Sequence, residues 1–220
     1  MKAFRSRVAA SMGALAVLAA CGTGSRGEVE SSVRPEPASM AEMEALYWAR
    51  VESARTRFSA EDARFLVGMI DHHSQAVRMA NLAPDRAGSQ PIRTLAARIL
   101  ASQEEEIEIM RQWLEDRGQA APGMHGPGMA HGGHGMPGML GPDEIIALEA
   151  ASGVAFDRLF LRSMIIHHRG AVAMVDELFS TDGAANAPEI FRIASDIQAD
   201  QASEVTRMER MLAQLPDGAP

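Results

Sequence analysis

Residues 62–79 read DARFLVGMIDHHSQAVRM, and residues 157–174 read DRLFLRSMIIHHRGAVAM. In a register shifted by 95 residues, Asp62, Phe65, Leu66, Met69, His72, His73, Ala76, Val77 and Met79 meet Asp157, Phe160, Leu161, Met164, His167, His168, Ala171, Val172 and Met174. The correspondence resumes downstream with a shift of 98, after a connection three residues longer in the second copy. There Ile92, Leu95, Ala96, Ile99, Gln103, Glu106 and Met110 match Ile190, Ile193, Ala194, Ile197, Gln201, Glu204 and Met208. Two elements matching in the same order identify an internal duplication.

Each half reads as a helical hairpin. Apolar residues recur at spacings of three and four from Phe65 to Ala80 and from Ile92 to Leu114, the pattern of amphipathic helices. Ser59, three residues before Asp62, marks a helix start, and Ala83-Pro84-Asp85 through Ser89-Gln90-Pro91 supplies the turn. Gly118 closes the second helix; in the other half Asn186-Ala187-Pro188 opens the last helix and Pro216 ends it. No stretch alternates as a strand would. Two such hairpins, about 58–117 and 153–215, predict an all-α, ferritin-like four-helix bundle. It fills a domain over 40–217 that begins with a helical lead-in, roughly Met40 to Arg57, and carries a loop over 118–141.

The N-terminus has another purpose. Lys2, Arg5 and Arg7 precede an apolar run from Val8 to Ala20, too short to span a bilayer comfortably. The run ends Leu18-Ala19-Ala20-Cys21-Gly22, which resembles a bacterial lipobox and makes Cys21 the expected lipidation site. Residues 1–21 are thus expected to be a lipoprotein signal peptide, and the Gly-, Ser-, Glu- and Pro-rich residues 22–39 a disordered tether. The expected address is extracytoplasmic, periplasm or cell surface, with a lipid anchor in the membrane.

Composition excludes several functions. Cys21 is the only cysteine, so the domain has neither a disulfide nor a catalytic thiol. Lys2 is the only lysine, which removes Schiff-base chemistry from the domain. The formal charge of −8 becomes −11 without the three bases of the signal, so nucleic acid is not an expected partner and cations are.

Four of the seven histidines belong to the repeated motif. At about 100° and 1.5 Å per residue, Met69, His73, Ala76 and Ala80 share the inward arc of a helix. His72 lies to one side, and Met69, His72 and His73 fall within about 6 Å of rise, close enough to share an ion. Met79 lies about 10 Å beyond His72 and reads as a second site or as core. Thioether with imidazole selects soft or borderline metals, Cu(I) first with Ag(I) as its mimic. Four histidines facing one another could instead make a tetrahedral zinc site. Without metal, the same side chains would simply pack, the imidazoles bonded to Asp71, Gln103 or Gln201. Gln103, Glu106 and Met110, with Gln201, Glu204 and Met208, share helix faces that either support the histidines or form a polar stripe. Glu104-Glu105-Glu106 is otherwise expected to be a solvated face.

The loop between the halves holds Met124, His125, Met129, His131, His134, Met136 and Met139 on a Gly/Pro backbone, seven soft-metal ligands in the sixteen positions 124–139. It is expected to stay flexible and to collect metal. No glutamate stands three before a histidine, which argues against ferritin-type di-iron ligation, and no His-Glu-x-x-His is present.

The pattern Asp-x-x-Phe-x-x-x-Met-x-x-His-His-x-x-Ala-x-x-Met, followed by a helix with Gln-x-x-Glu-x-x-x-Met, resembles the bacterial family catalogued as domain of unknown function 305. The resemblance covers about residues 58–215 and implies a fold similar to the ferritin-like bundle. Some members are extracytoplasmic copper-binding proteins implicated in copper tolerance. The resemblance therefore implies Met69, His72, His73, Met79, Met164, His167, His168 and Met174 as candidate ligands, and no catalytic activity. The expected function is Cu(I) or Ag(I) buffering, storage or transfer, the last through a metal-transfer partner. The alternatives are a metal-free helical interaction module and a copper-dependent redox enzyme.

Overall fold

A computed structural model describes residues 39–121 and 135–216. The chain forms α1 (Met40–Thr56), α2 (Ala60–Ala80), α3 (Ala83–Arg86), α4 (Gln90–Glu115), α5 (Pro142–Ala150), α6 (Gly153–Ser180) and α7 (Pro188–Gln214), with no strand among the described residues. The all-α bundle read from the repeat is borne out. Helix α2 packs on α4, α6 packs on α7, and the two hairpins meet through α2 and α6.

Local chemistry sets the ends of these helices. Ser59 Oγ accepts from the Asp62 N–H at 3.0 Å while Asp62 Oδ2 accepts from the Ser59 N–H at 2.8 Å, a complete capping box. Pro84, Pro91, Pro142 and Pro188 stand in the first turns of α3, α4, α5 and α7, where a missing N–H costs nothing. Gly118, at φ +64°, turns the chain out of α4.

The second copy lacks this capping box, because Val154 stands where the first has Ser59. Both aspartates nevertheless reach across the molecule. Asp62 Oδ1 accepts from the Ala185 N–H at 2.7 Å in the α6–α7 turn, and Asp157 Oδ1 accepts from the Gly88 N–H at 2.9 Å in the α3–α4 turn. Each half thereby clamps the hairpin turn of the other. Ala185 sits at φ +53°, a left-handed conformation that costs a non-glycine residue energy and that the Asp62 clamp helps to hold.

Two connections differ from expectation. The 83–91 turn contains the helix α3, and the chain before the second hairpin contains α5, which the repeat did not reveal. Ile145 and Leu148 of α5 are buried in the core, so the helix is a lid on the bundle end rather than linker.

The core is split. One apolar cluster gathers Ala76, Met79, Ile92, Ile99, Phe156, Phe160 and Met164; the other gathers Leu66, Met69, Ile107, Leu114, Val175, Ile190 and Ile197. The start of α2 thus packs with the end of α6, and the end of α2 with the start of α6: the two repeats run antiparallel. Between the clusters lie the buried polar residues His72, His73, His167, His168, Gln103 and Gln201.

Candidate metal centre

Antiparallel repeats bring the same position of each copy to the centre. His72 of α2 and His167 of α6 meet ring against ring, with centroids 3.8 Å apart and planes tilted by 37°. His73 and His168 turn the other way, toward the second helix of their own hairpins. All four imidazoles are completely buried. The intervening position faces outward, since Ile166, opposite Asp71 in the repeat, is 54% exposed.

Hydrogen bonds orient the rings. His73 Nε2–H donates to Glu106 Oε2 at 2.7 Å, and His168 Nε2–H donates to Glu204 Oε2 at 2.6 Å. These repeat-related contacts show that Glu106 does not belong to the solvated face of Glu104 and Glu105. They also replace the Asp71, Gln103 and Gln201 contacts that metal-free packing called for. His72 Nε2–H donates to the Pro137 carbonyl at 3.0 Å. A carbonyl can only accept, so the His72 proton sits on Nε2 and its Nδ1 carries a bare lone pair. Among the described residues, the Nδ1 atoms of all four histidines and Nε2 of His167 are buried without a well-formed hydrogen bond, although the His72 backbone approaches the His167 ring.

The layer favours neutral rings. Burial first, then the neighbouring His73, lowers the His72 pKa from 6.5 to about 3, against the raising effect of the Pro137 bond. Burial, followed by the facing His72, holds His167 well below the ordinary range. At the α4–α7 side, partial burial and then the charges of Glu106 and Glu204 raise the Asp200 carboxyl. An acidic rim therefore stands beside the histidine layer, a field that favours cations.

The methionines flank this layer. Met69 and Met174 lie in one apolar cluster, Met79 and Met164 in the other. The antiparallel packing thus puts one thioether of each helix on either side of the histidines. His72 and His167 meet at a tilt while His73 and His168 turn to the glutamates, and among the described residues no three His, Cys, Asp or Glu side chains are grouped to hold a metal ion.

Of the loop candidates, Met124, His125, Met129, His131 and His134 lie outside the described residues, as does Cys21. Met136 and Met139 belong to a strap, residues 135–141, that lies over the site. The expectation of a wholly flexible loop is corrected here. Gln75 holds the strap by accepting from the Leu140 N–H at 2.8 Å and donating to the Leu140 carbonyl at 3.0 Å. Gly170, which occupies the position of Gln75 in the second copy, lets the strap touch the α6 backbone; a Cβ there would collide with the Pro137 carbonyl. The repeat diverged at this position, and both residues now seat the strap.

The profile of the family described as "Domain of unknown function (DUF305)" matches residues 62–212. The chain belongs to this family. A DUF305 fragment from Deinococcus radiodurans has a crystal structure 32% identical in sequence, with TM-score 0.61, over 72% of this chain and 99% of that one. CopM in its Cu(I)-bound form is 29% identical, with TM-score 0.54, over 69% of this chain and 95% of that one. CopM is also known in Cu(II)- and silver-bound forms. Uncharacterized protein L153 of Acanthamoeba polyphaga mimivirus is 37% identical over 67 residues; the match spans 30% of this chain and 44% of that protein.

Proposed function

We propose that this DUF305 protein binds Cu(I), with Ag(I) as a substitute, to buffer the metal or hand it on. The observation that carries the reading is the set of oriented imidazoles with unpartnered Nδ1 atoms in a buried layer. A metal-ligating histidine commonly gives its other N–H to a carboxylate or carbonyl. Glu106, Glu204 and the Pro137 carbonyl occupy that supporting position here. Without a ligand, buried ring nitrogens, the unpartnered amide of Gln103 and the unpartnered amide oxygen of Gln201 would each cost about 1–3 kcal/mol, which weighs against a purely structural layer.

His72, His73, His167 and His168 supply nitrogen, and the fully buried Met69, Met79 and Met164 soft sulfur. Cu(I) accepts mixed sets of low coordination number, so it does not need the tetrahedral convergence that zinc does. Met124, His125, Met129, His131 and His134 collect metal from solution. Exchange among soft ligands suffices, and no bond in an organic substrate is made or broken. The copper and silver forms of CopM support the metal class. The basic, apolar leader and Cys21 support delivery across a membrane and lipid anchoring outside the cytoplasm. No helix among the described residues is long and apolar enough to cross a membrane.

Competition titration with a Cu(I) chelator tests the site. The H72A/H73A/H167A/H168A variant, and the milder H72A/H167A, should each lose at least tenfold in affinity while remaining helical by circular dichroism. Saturating Cu(I) should also raise the thermal midpoint of the wild type, since a ligand of the native state stabilises it by about 2.7 kcal/mol at a hundred times Kd. Unchanged affinity in a folded variant, with no midpoint shift, defeats the proposal. The loop is tested separately by deleting 122–134, which leaves the strap intact.

A further inference from the structure

The duplication is not symmetric around its last methionine. Met79 is fully buried in the core at the end covered by α5. Its counterpart Met174, 9% exposed, lines an open pocket of about 420 Å³. Phe65, Gly68, Met136, Pro137 and Leu178 complete the apolar part of that pocket, and its polar lining is Glu61, Arg64, Glu177 and Thr181, with Arg64 paired to Glu61. The strap therefore contributes to two places at once. Its Pro137 carbonyl holds His72, while the preceding side chain, Met136, reaches the pocket.

Gly68 is the second observation. A Cβ built on it would lie 3.5 Å from Met136 Sδ and 3.5 Å from Met174 Cε, ordinary contact distances. Alanine would therefore fit, and alanine stabilises a helix relative to glycine. Packing gives no reason for the glycine, and the second copy has Ser163 at this position. What Gly68 does is leave the floor open between two thioethers that converge from different elements. Methionine is unbranched, with three rotatable bonds and a polarizable sulfur, so both sulfurs can turn into that space.

We propose that Met136 and Met174, above the bare backbone of Gly68, form a two-thioether entry site for a soft monovalent cation, which then passes under the strap to His72 and His167. Two neutral sulfur donors suit Cu(I) and Ag(I) better than hard divalent ions. The pocket has room for a cation still held by the ligand that delivered it. Transfer inward exchanges sulfur for nitrogen ligands one at a time, and the ion need not become fully hydrated. The site rests on the reading of the histidine layer as a metal centre, and it adds the route by which that centre is filled.

The experiment uses the full chain labelled with ¹³C at the methionine ε-methyls, titrated with Ag(I). M136L and M174L, which keep volume and remove sulfur, assign the two resonances. Both methyls should shift together in the first step, and each single variant should abolish the shift of the other. The M136L/M174L double variant should load the histidines with Cu(I) at least fivefold more slowly, with affinity at the histidines within twofold of wild type and an unchanged thermal midpoint. Gly68→Leu, which fills the floor, should reproduce the slow loading. Histidine resonances that move while the Met136 and Met174 methyls stay still overturn the thioether site alone. Absence of Ag(I) binding at both places overturns this site together with the metal reading of the bundle.

Discussion

At the residue scale, the repeated His-His pair resolves into two chemically different positions. His72 and His167 face each other across the repeats; His73 and His168 face carboxylates on their own hairpins. The first pair makes stability pH-dependent. His72 binds its proton near pH 6.5 in the unfolded chain and only near pH 3 in the folded one, and His167 is shifted in the same direction. The unfolded state therefore holds more protons across that interval. Stability should be full above pH 6.5 and fall as pH falls toward 3, by about 1.4 kcal/mol per pH unit for each ring. Urea midpoints measured from neutral to mildly acidic pH check the slope, which His72→Asn should reduce. For the second pair, the proposed copper binding predicts that affinity depends on the glutamates. E106Q and E204Q should each weaken Cu(I) binding by about tenfold, the low end for partners that orient a metal-binding histidine, in a chelator competition. The histidines and Met69 were legible from spacing because a helix period is enough to place them inward. The glutamates were visible as matched positions, but which face they served depended on the partner helix.

At the scale of elements, the strap is the feature that periodicity missed. Residues 135–141 have no helical pattern and read as part of a flexible Gly/Pro tract. They are held by Gln75 and by two glycines where backbone meets backbone, Gly138 at φ +76° and Gly170 inside α6. Gly170→Ala should drive the strap off α6, although alanine is the better helix former. The expected result is faster hydrogen exchange over 137–141 and a loss of about 1–3 kcal/mol, the cost of buried polar groups left without partners. Gln75→Ala should act in the same direction by releasing both Leu140 bonds. Helix α5 was missed for a related reason. Nine residues are too few for a clear amphipathic period, and its role as a cover appears only once Ile145 and Leu148 meet the bundle core.

At the scale of the whole molecule, the duplication is locked at both ends by its aspartates. Asp62 serves a capping box and the Ala185 N–H together, whereas Asp157 serves the Gly88 N–H alone and leaves Oδ2 without a partner. Asp62→Ala loses a cap and leaves the part-buried Ala185 N–H without its acceptor, and should cost about 2–4 kcal/mol. Asp157→Ala has no capping box to lose and should cost less, about 1–3 kcal/mol. Chemical denaturation of the two variants checks the order; equal losses would mean that the cross-molecule clamp alone matters.

The amino-acid sequence by itself determined the duplication, the helical class, the inward face and the soft-metal character of its side chains. All of these are local or periodic properties, carried by residues a few positions apart. Only the tertiary structure decided that the two copies run antiparallel, that His72 meets His167, and that Met69 and Met164 fall on opposite sides of a polar layer. It alone laid the strap of residues 135–141 over His72 and set Met136 beside Met174. Those relations join residues tens of positions apart, and their energies come from burial and hydrogen bonds that exist only once the helices have packed.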